Sequence, residues 1–137
     1  MTDLPTLFTD LVRFQIDAWN QVDSRLRAAH ELPLGSFETL RVIDETDGCR
    51  VFDISERMAI TVGGTSKIVD RLENAGFVER RANPDDRRSS LLALTASGTS
   101  VLARAIPTYE AALAEVFDLP ATQLDRLAAT LSELRSR

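Results

Sequence analysis

Two short groups of residues could act together in this 137-residue chain: Ser66, Lys67 and Arg71, and then Asp86, Arg87 and Arg88. On a helix, Lys67 and Arg71 fall four apart and share one face. Ser66 beside them can donate to a phosphate or a base edge, and both cations can reach phosphates or guanine acceptors. Gly63 and Gly64 precede them, so backbone amides of that first turn can approach a phosphate closely. Arg87 and Arg88 follow the turn-forming run Asn83-Pro84-Asp85-Asp86. An arginine on a projecting tip can enter a narrow minor groove, and a neighbouring aspartate can hold it extended. Either group alone also fits an ordinary solvated surface. Together, on a helix and an adjacent loop, they suit duplex DNA, whose phosphate rows alternate with grooves.

Other chemistries have little to work with. One histidine, His30, and one cysteine, Cys49, leave no His-rich or paired-cysteine metal site and no intramolecular disulfide. Ser89-Ser90 has no base in evident reach, and neither a GxSxG elbow nor a phosphate-cradling loop occurs. The chain therefore reads as a non-enzyme without a cofactor. No apolar run approaches the ~20 residues needed to span a bilayer. The N-terminus carries acids early and lacks a basic leader, so a cytoplasmic location is expected. The net charge is −5, but Thr61 to Thr95 holds six basic and five acidic residues, +1, which leaves −6 elsewhere. An acidic body with a locally basic edge orients itself on DNA.

The elements that would position these groups follow from periodicity. Leu4 to Ala29 carries apolar residues at three- and four-residue steps and predicts a long helix. Its stripe is long enough to suggest cover by a second subunit. Pro33 breaks the pattern, and a second helix follows over Leu34 to Glu45, ended by Asp47-Gly48. Val51 to Ala59 predicts a short third helix, with Ala59-Ile60-Thr61 as the turn. The fourth helix lies within Ile60 to Phe77, capped by Thr61 and stopped by Gly76. Thr65, Ile68, Val69 and Leu72 make its inner face, although Thr65 is also counted with the DNA-facing set. Val78 to Thr95 is a hairpin. Thr95 caps a fifth helix with a kink or shifted start expected at Pro107, and a sixth opens near Pro120.

From Asp53 to Gly98 the chain resembles the MarR family of winged helix-turn-helix regulators. The resemblance is carried by Ser66-Lys67-x-Val69-Asp70-Arg71-Leu72-Glu73-x-x-Gly76-Phe77-Val78-Glu79-Arg80, then Asn83-Pro84-Asp85-Asp86-Arg87-Arg88, then Leu94-Thr95-x-x-Gly98. It implies a mainly α fold of six helices and a small two-stranded β-wing. It also implies a homodimer joined by the first, fifth and sixth helices, with the fourth helix in the major groove and the wing in the minor groove. By that similarity Asp86 and Arg88 form the wing pair, with Arg88 inserted. Gly63-Gly64 departs from the polar side chains usual there, and Ser55 replaces a usual alanine.

Relatives often answer to small aromatic or anionic ligands. Trp19, His30 and Phe37 could line such a crevice, although Trp19 and Phe37 equally fit a core and His30 a helix end. Cys49 reads as a small buried residue.

The expected assembly is thus a helical dimerisation region over 1–32 and 96–137, with a DNA-binding lobe over 33–95. The expected DNA-facing residues are Thr61, Gly63, Gly64, Thr65, Ser66, Lys67, Arg71, Asp86, Arg87 and Arg88. The expected function is a homodimeric, sequence-specific transcriptional regulator, a repressor on a pseudo-palindromic operator, released by a small molecule. The alternatives are a winged-helix protein-interaction module without DNA binding, favoured by the acidic net charge, and a small-molecule binding protein.

Overall fold

The computed structural model describes residues 1–58 and 60–137. Its elements run α1 (Leu4–His30), α2 (Leu34–Glu45), α3 (Val51–Met58), α4 (Val62–Asn74), β1 (Val78–Ala82), β2 (Ser90–Leu94), α5 (Ala96–Val116) and α6 (Ala121–Arg135). This is the mainly helical winged architecture expected. Ala59, the expected end of the third helix and start of its turn, lies outside the described residues. The fourth helix is shorter than its parent segment at both ends, because capping groups sit inside that segment.

Local chemistry accounts for most boundaries. Glu31 adopts the left-handed region (φ 53°) after α1, and Pro33 precedes α2. Thr95 caps α5 by accepting from the Gly98 amide at 3.0 Å. Pro107 does not shift the start of α5, which runs through it to Val116. The proline removes a donor that would have met the Ala103 carbonyl. Both residues are exposed, so water can satisfy the carbonyl.

The core lies under the middle of the chain. Phe37, Leu40 and Ile43 of α2 pack with Leu26 of α1, Val69 and Leu72 of α4, and Leu102 and Ala105 of α5. Phe37 is completely buried, its ring 4.5 Å from that of Tyr109. The antiparallel wing pairs Val78 with Leu94 and Arg80 with Leu92. Cys49 adds a short bridge to Leu92, whose amide donates to the Cys49 carbonyl at 2.7 Å. Sheet and α3 are thereby tied together.

The ends of the chain are different. The first half of α1 exposes Leu4 (70%), Leu7 and Phe8 (68%), and α6 buries none of its residues. Among the described residues no helix is long and apolar enough to cross a membrane.

Candidate nucleic-acid interface

Helix α4 is anchored at both ends. Thr61 Oγ1 accepts from the Gly64 amide at 3.0 Å, and the Thr61 carbonyl accepts from the Thr65 amide and hydroxyl at 3.0 and 2.9 Å. At the other end Gly76 takes φ 82°, its amide donates to the Glu73 carbonyl, and the Phe77 amide donates to the Leu72 carbonyl. This paired closure satisfies the last carbonyls and needs a left-handed residue, which glycine supplies without strain. Behind the helix, buried Ser55 donates to the Phe52 carbonyl at 2.8 Å, so a serine in α3 is accommodated.

With Thr65, Val69 and Leu72 buried, Gly63, Lys67, Asp70 and Arg71 face outward, and Ser66 sits half-buried beside them. Two expectations are corrected here. Thr65 cannot contact DNA through its side chain, because it is completely buried and its hydroxyl is spent on the helix start. The Gly64 amide is held by the Thr61 cap, which leaves the amide of Gly63 as the glycine donor of this turn. Gly63 has open space where a Cβ would stand.

The wing tip is held by its own polar groups. Asn83 Oδ1 accepts from the Asp85 amide at 3.0 Å, and Asn83 Nδ2 donates to Ser89 Oγ at 3.1 Å. Asp86 Oδ1 accepts from the Arg88 backbone amide at 2.9 Å. Asp86 therefore shapes the turn that carries Arg88 through its backbone, and does not hold the guanidinium extended as the sequence suggested. Arg87 and Arg88 are both exposed.

Charge pairing divides the cations of this region into two sets. Arg80 is bound by Asp70 of α4 and by Glu73 at 3.4 Å, and Arg81 is bound by Glu79. Among the described residues, Lys67, Arg71, Arg87 and Arg88 have no carboxylate partner. The paired set ties the wing base to α4, and the unpaired set is left to meet anions outside the protein. Phosphate rows suit such a set, since they can be matched without first breaking an internal ion pair.

The sequence model of the MarR family matches residues 32–90, which hold α2, α3, α4 and the wing up to the first residue of β2. An uncharacterized HTH-type transcriptional regulator of Bacillus cereus is 28% identical over 108 residues, 79% of this chain and 71% of the relative. Over residues 32–90 the chain is similar to the MarR family of winged-helix transcriptional regulators. The fold extends over both ends. Sco3205, a MarR-family regulator from Streptomyces coelicolor solved in complex with DNA, superposes with a TM-score of 0.88 at 22% identity, covering 98% of this chain and 91% of that one. CouR from Rhodococcus jostii, solved bound to p-coumaroyl-CoA, superposes with a TM-score of 0.79 at 26% identity, covering 90% and 87%. The relatives that the chain matches in sequence are transcriptional regulators.

The structure adds residues that the sequence did not mark. A cleft of about 340 Å³ opens between the start of α3, the start of α4 and the wing, and Arg50, Phe52 and Val62 line it with Ser66, Arg88 and Ser90. Arg50 carries no sequence signal for this place, because it approaches the wing only through the Cys49–Leu92 bridge. Its carboxylate neighbour Asp53 lies at 3.5 Å.

Trp19, His30 and Phe37 do not share a crevice. Phe37 is core, and His30 Nε2 is hydrogen-bonded to Thr108 Oγ1 at 2.7 Å. Trp19, 42% exposed, instead lines an open cavity of about 390 Å³ between α1, α2, α5 and α6. Cys49 is buried, and that burial, with the charge of Asp53 next, pushes its thiol up to about 11. It stays protonated near neutrality and is a poor redox sensor.

Proposed function

We propose that this chain is a regulator of the MarR family, a cytoplasmic homodimeric repressor that binds a pseudo-palindromic operator and leaves it when a small molecule binds. The observation that carries the reading is the set of four unpaired cations, Lys67 and Arg71 on α4 and Arg87 and Arg88 on the wing. The α4 helices of two copies would enter successive major grooves, ~34 Å apart. The wings would reach the flanking minor grooves, with Arg88 inserted. Residues 33–95 act as the DNA-binding lobe, and 1–32 with 96–137 as the dimerisation region. The uncovered apolar residues Leu4, Phe8, Leu131 and Leu134 support a second copy as their cover.

A ligand would act by favouring a spacing of the two lobes that fits DNA badly. The cavity beside Trp19 supports this, because it lies between the helices of the dimerisation region and α2 of the lobe. CouR, of the same fold, was solved with an aromatic thioester bound.

The test is an anisotropy titration of the protein with duplex DNA from its own upstream region, at two salt concentrations, with mass by light scattering. A dimer whose affinity falls steeply with salt is expected. A stable single copy of 15.2 kDa, or an affinity indifferent to salt, would sink the reading.

A further inference from the structure

We infer that Val62 reads a thymine: its side chain packs against the 5-methyl group of a thymine in each half-site and selects that base over the others. The inference rests on the reading above that α4 enters the major groove, and names the base that the start of the helix selects.

A recognition helix in the major groove meets base edges with its N-terminal residues. Of the described residues from Thr61 to Thr65, only Val62 keeps a side chain available for that contact. Thr61 is turned to the helix start, where its hydroxyl oxygen accepts from the Gly64 amide. Gly63 and Gly64 carry no side chain, and Thr65 is completely buried. What this turn presents to a base is therefore an aliphatic group. Val62 is the first residue of α4 and is 50% exposed. Ser66 lies one turn further on the same face, and both line the cleft shared with Phe52 and Arg88. The apolar group on the major-groove edges of the bases is the thymine methyl. Val62 gains from burying that methyl, whereas against a hydrogen-bonding edge it would displace water and offer nothing in return.

The surroundings favour this contact. A Cβ on Gly63 would meet nothing within 4 Å, so no side chain there holds the first turn away from the groove floor. Arg50 and Arg88 stand around the same cleft and suit the phosphates that border a groove. Phe52, 56% exposed, is the other apolar side chain prominent there. Two such side chains fall far short of the ~800 Å² a side of a stable protein interface, which favours a base over a protein partner.

Deoxyuridine keeps every hydrogen-bonding group of thymine and lacks only the methyl. A minimal operator is footprinted in the upstream DNA, and each of its thymines is replaced in turn by deoxyuridine. Anisotropy titrations compare the parent with Val62→Ala, an exposed change that raises helix propensity and should fold as the parent does. At one symmetry-related pair of thymines, deoxyuridine should weaken the parent about fourfold per half-site, the worth of one buried methyl. Val62→Ala should bind the unmodified operator about as weakly, be indifferent to deoxyuridine at that pair, and keep the parent's salt dependence. Phe52→Ala should keep the discrimination. Salt-dependent operator binding without a methyl-sensitive thymine overturns the inference and leaves DNA binding intact. A methyl whose loss costs the parent and Val62→Ala equally, or whose effect disappears in Phe52→Ala, assigns the contact to another side chain and overturns it too. Absence of salt-dependent binding to any upstream duplex sinks the proposed function together with this inference.

Discussion

The lobe from α2 to β2 and the two ends of the chain are both built on amphipathic helices, yet they are finished to different degrees. In the lobe, α2 buries Phe37, Leu40, Val42 and Ile43, Thr61 caps α4, and the wing is hydrogen-bonded through its tip. At the ends, α6 and the first half of α1 keep their leucines and phenylalanines in water. Where α1 and α5 meet they are well packed, through buried Val22, Leu26, Leu102 and Ala105, with Arg25–Glu115 at 2.6 Å beside them. An amphipathic helix gains most of its stability from the surface that covers its apolar face. For α2 and α4 that surface is supplied within one chain, by one another and by α1 and α5, whereas α6 and the start of α1 are left with their apolar faces uncovered. The difference teaches that the winged lobe is packed within one copy, while the ends leave the apolar surface that the proposed dimer would cover.

Four substitutions would break or sharpen that contrast. Leu131→Asp in α6 should cause the largest loss. In a two-fold interface it removes two leucines, about 3–6 kcal/mol of burial before the buried charge is counted. Light scattering should show half the mass, with the lobe still folded by circular dichroism; an unchanged dimer would mean that α6 is not the covered face. Phe37→Ala should cost about 3–5 kcal/mol of stability in a denaturant titration, because a fully buried ring leaves a cavity. A cost under about 1 kcal/mol would show that the lobe core is not packed around it. Arg88→Ala should leave stability within about 0.5 kcal/mol and weaken operator binding by about 1–3 kcal/mol. Equal affinity for the variant and the parent would remove the wing from the interface.

The smallest effect concerns Cys49→Ala and pH. The native thiol titrates at about 11 against an ordinary value of 9.0, so the folded state favours the protonated form. That contribution is complete below pH 9 and is lost as pH rises through 11. Stability should therefore fall more steeply across this window in the parent than in Cys49→Ala. Identical slopes would mean that the thiol is exposed to solvent. In native protein at pH 7, the thiol should also react with a disulfide reagent far more slowly than after unfolding.

Gly98 shows how a motif can be legible while its reason is not. The Leu94-Thr95-x-x-Gly98 pattern was visible as a sequence, and Thr95 as a cap. Its other partners were hidden: the Thr95 hydroxyl also donates to the Gly76 carbonyl at 2.6 Å, and its amide donates to the Phe77 carbonyl at 3.0 Å. A Cβ on Gly98 would collide with that same Phe77 carbonyl. The start of α5 is thereby locked against the end of α4, across a hairpin that separates them in sequence.

What the amino-acid order determined alone was everything governed by near neighbours. Periodicity placed α1, α2 and α4, Thr61 and Thr95 announced their caps, and Asn83-Pro84-Asp85-Asp86 announced the wing tip, because these depend on backbone groups within a turn or two. Tertiary structure decided which charges remained available. Lys67 and Arg80 look alike along the chain, but only folding brings Asp70 and Glu73 against Arg80 and leaves Lys67 without a carboxylate. It likewise separated Trp19 from Phe37, sending one into the core and leaving the other on a cavity wall. Ion pairing and burial act through space over a few ångströms, and that distance is set by how the helices pack, not by spacing along the chain.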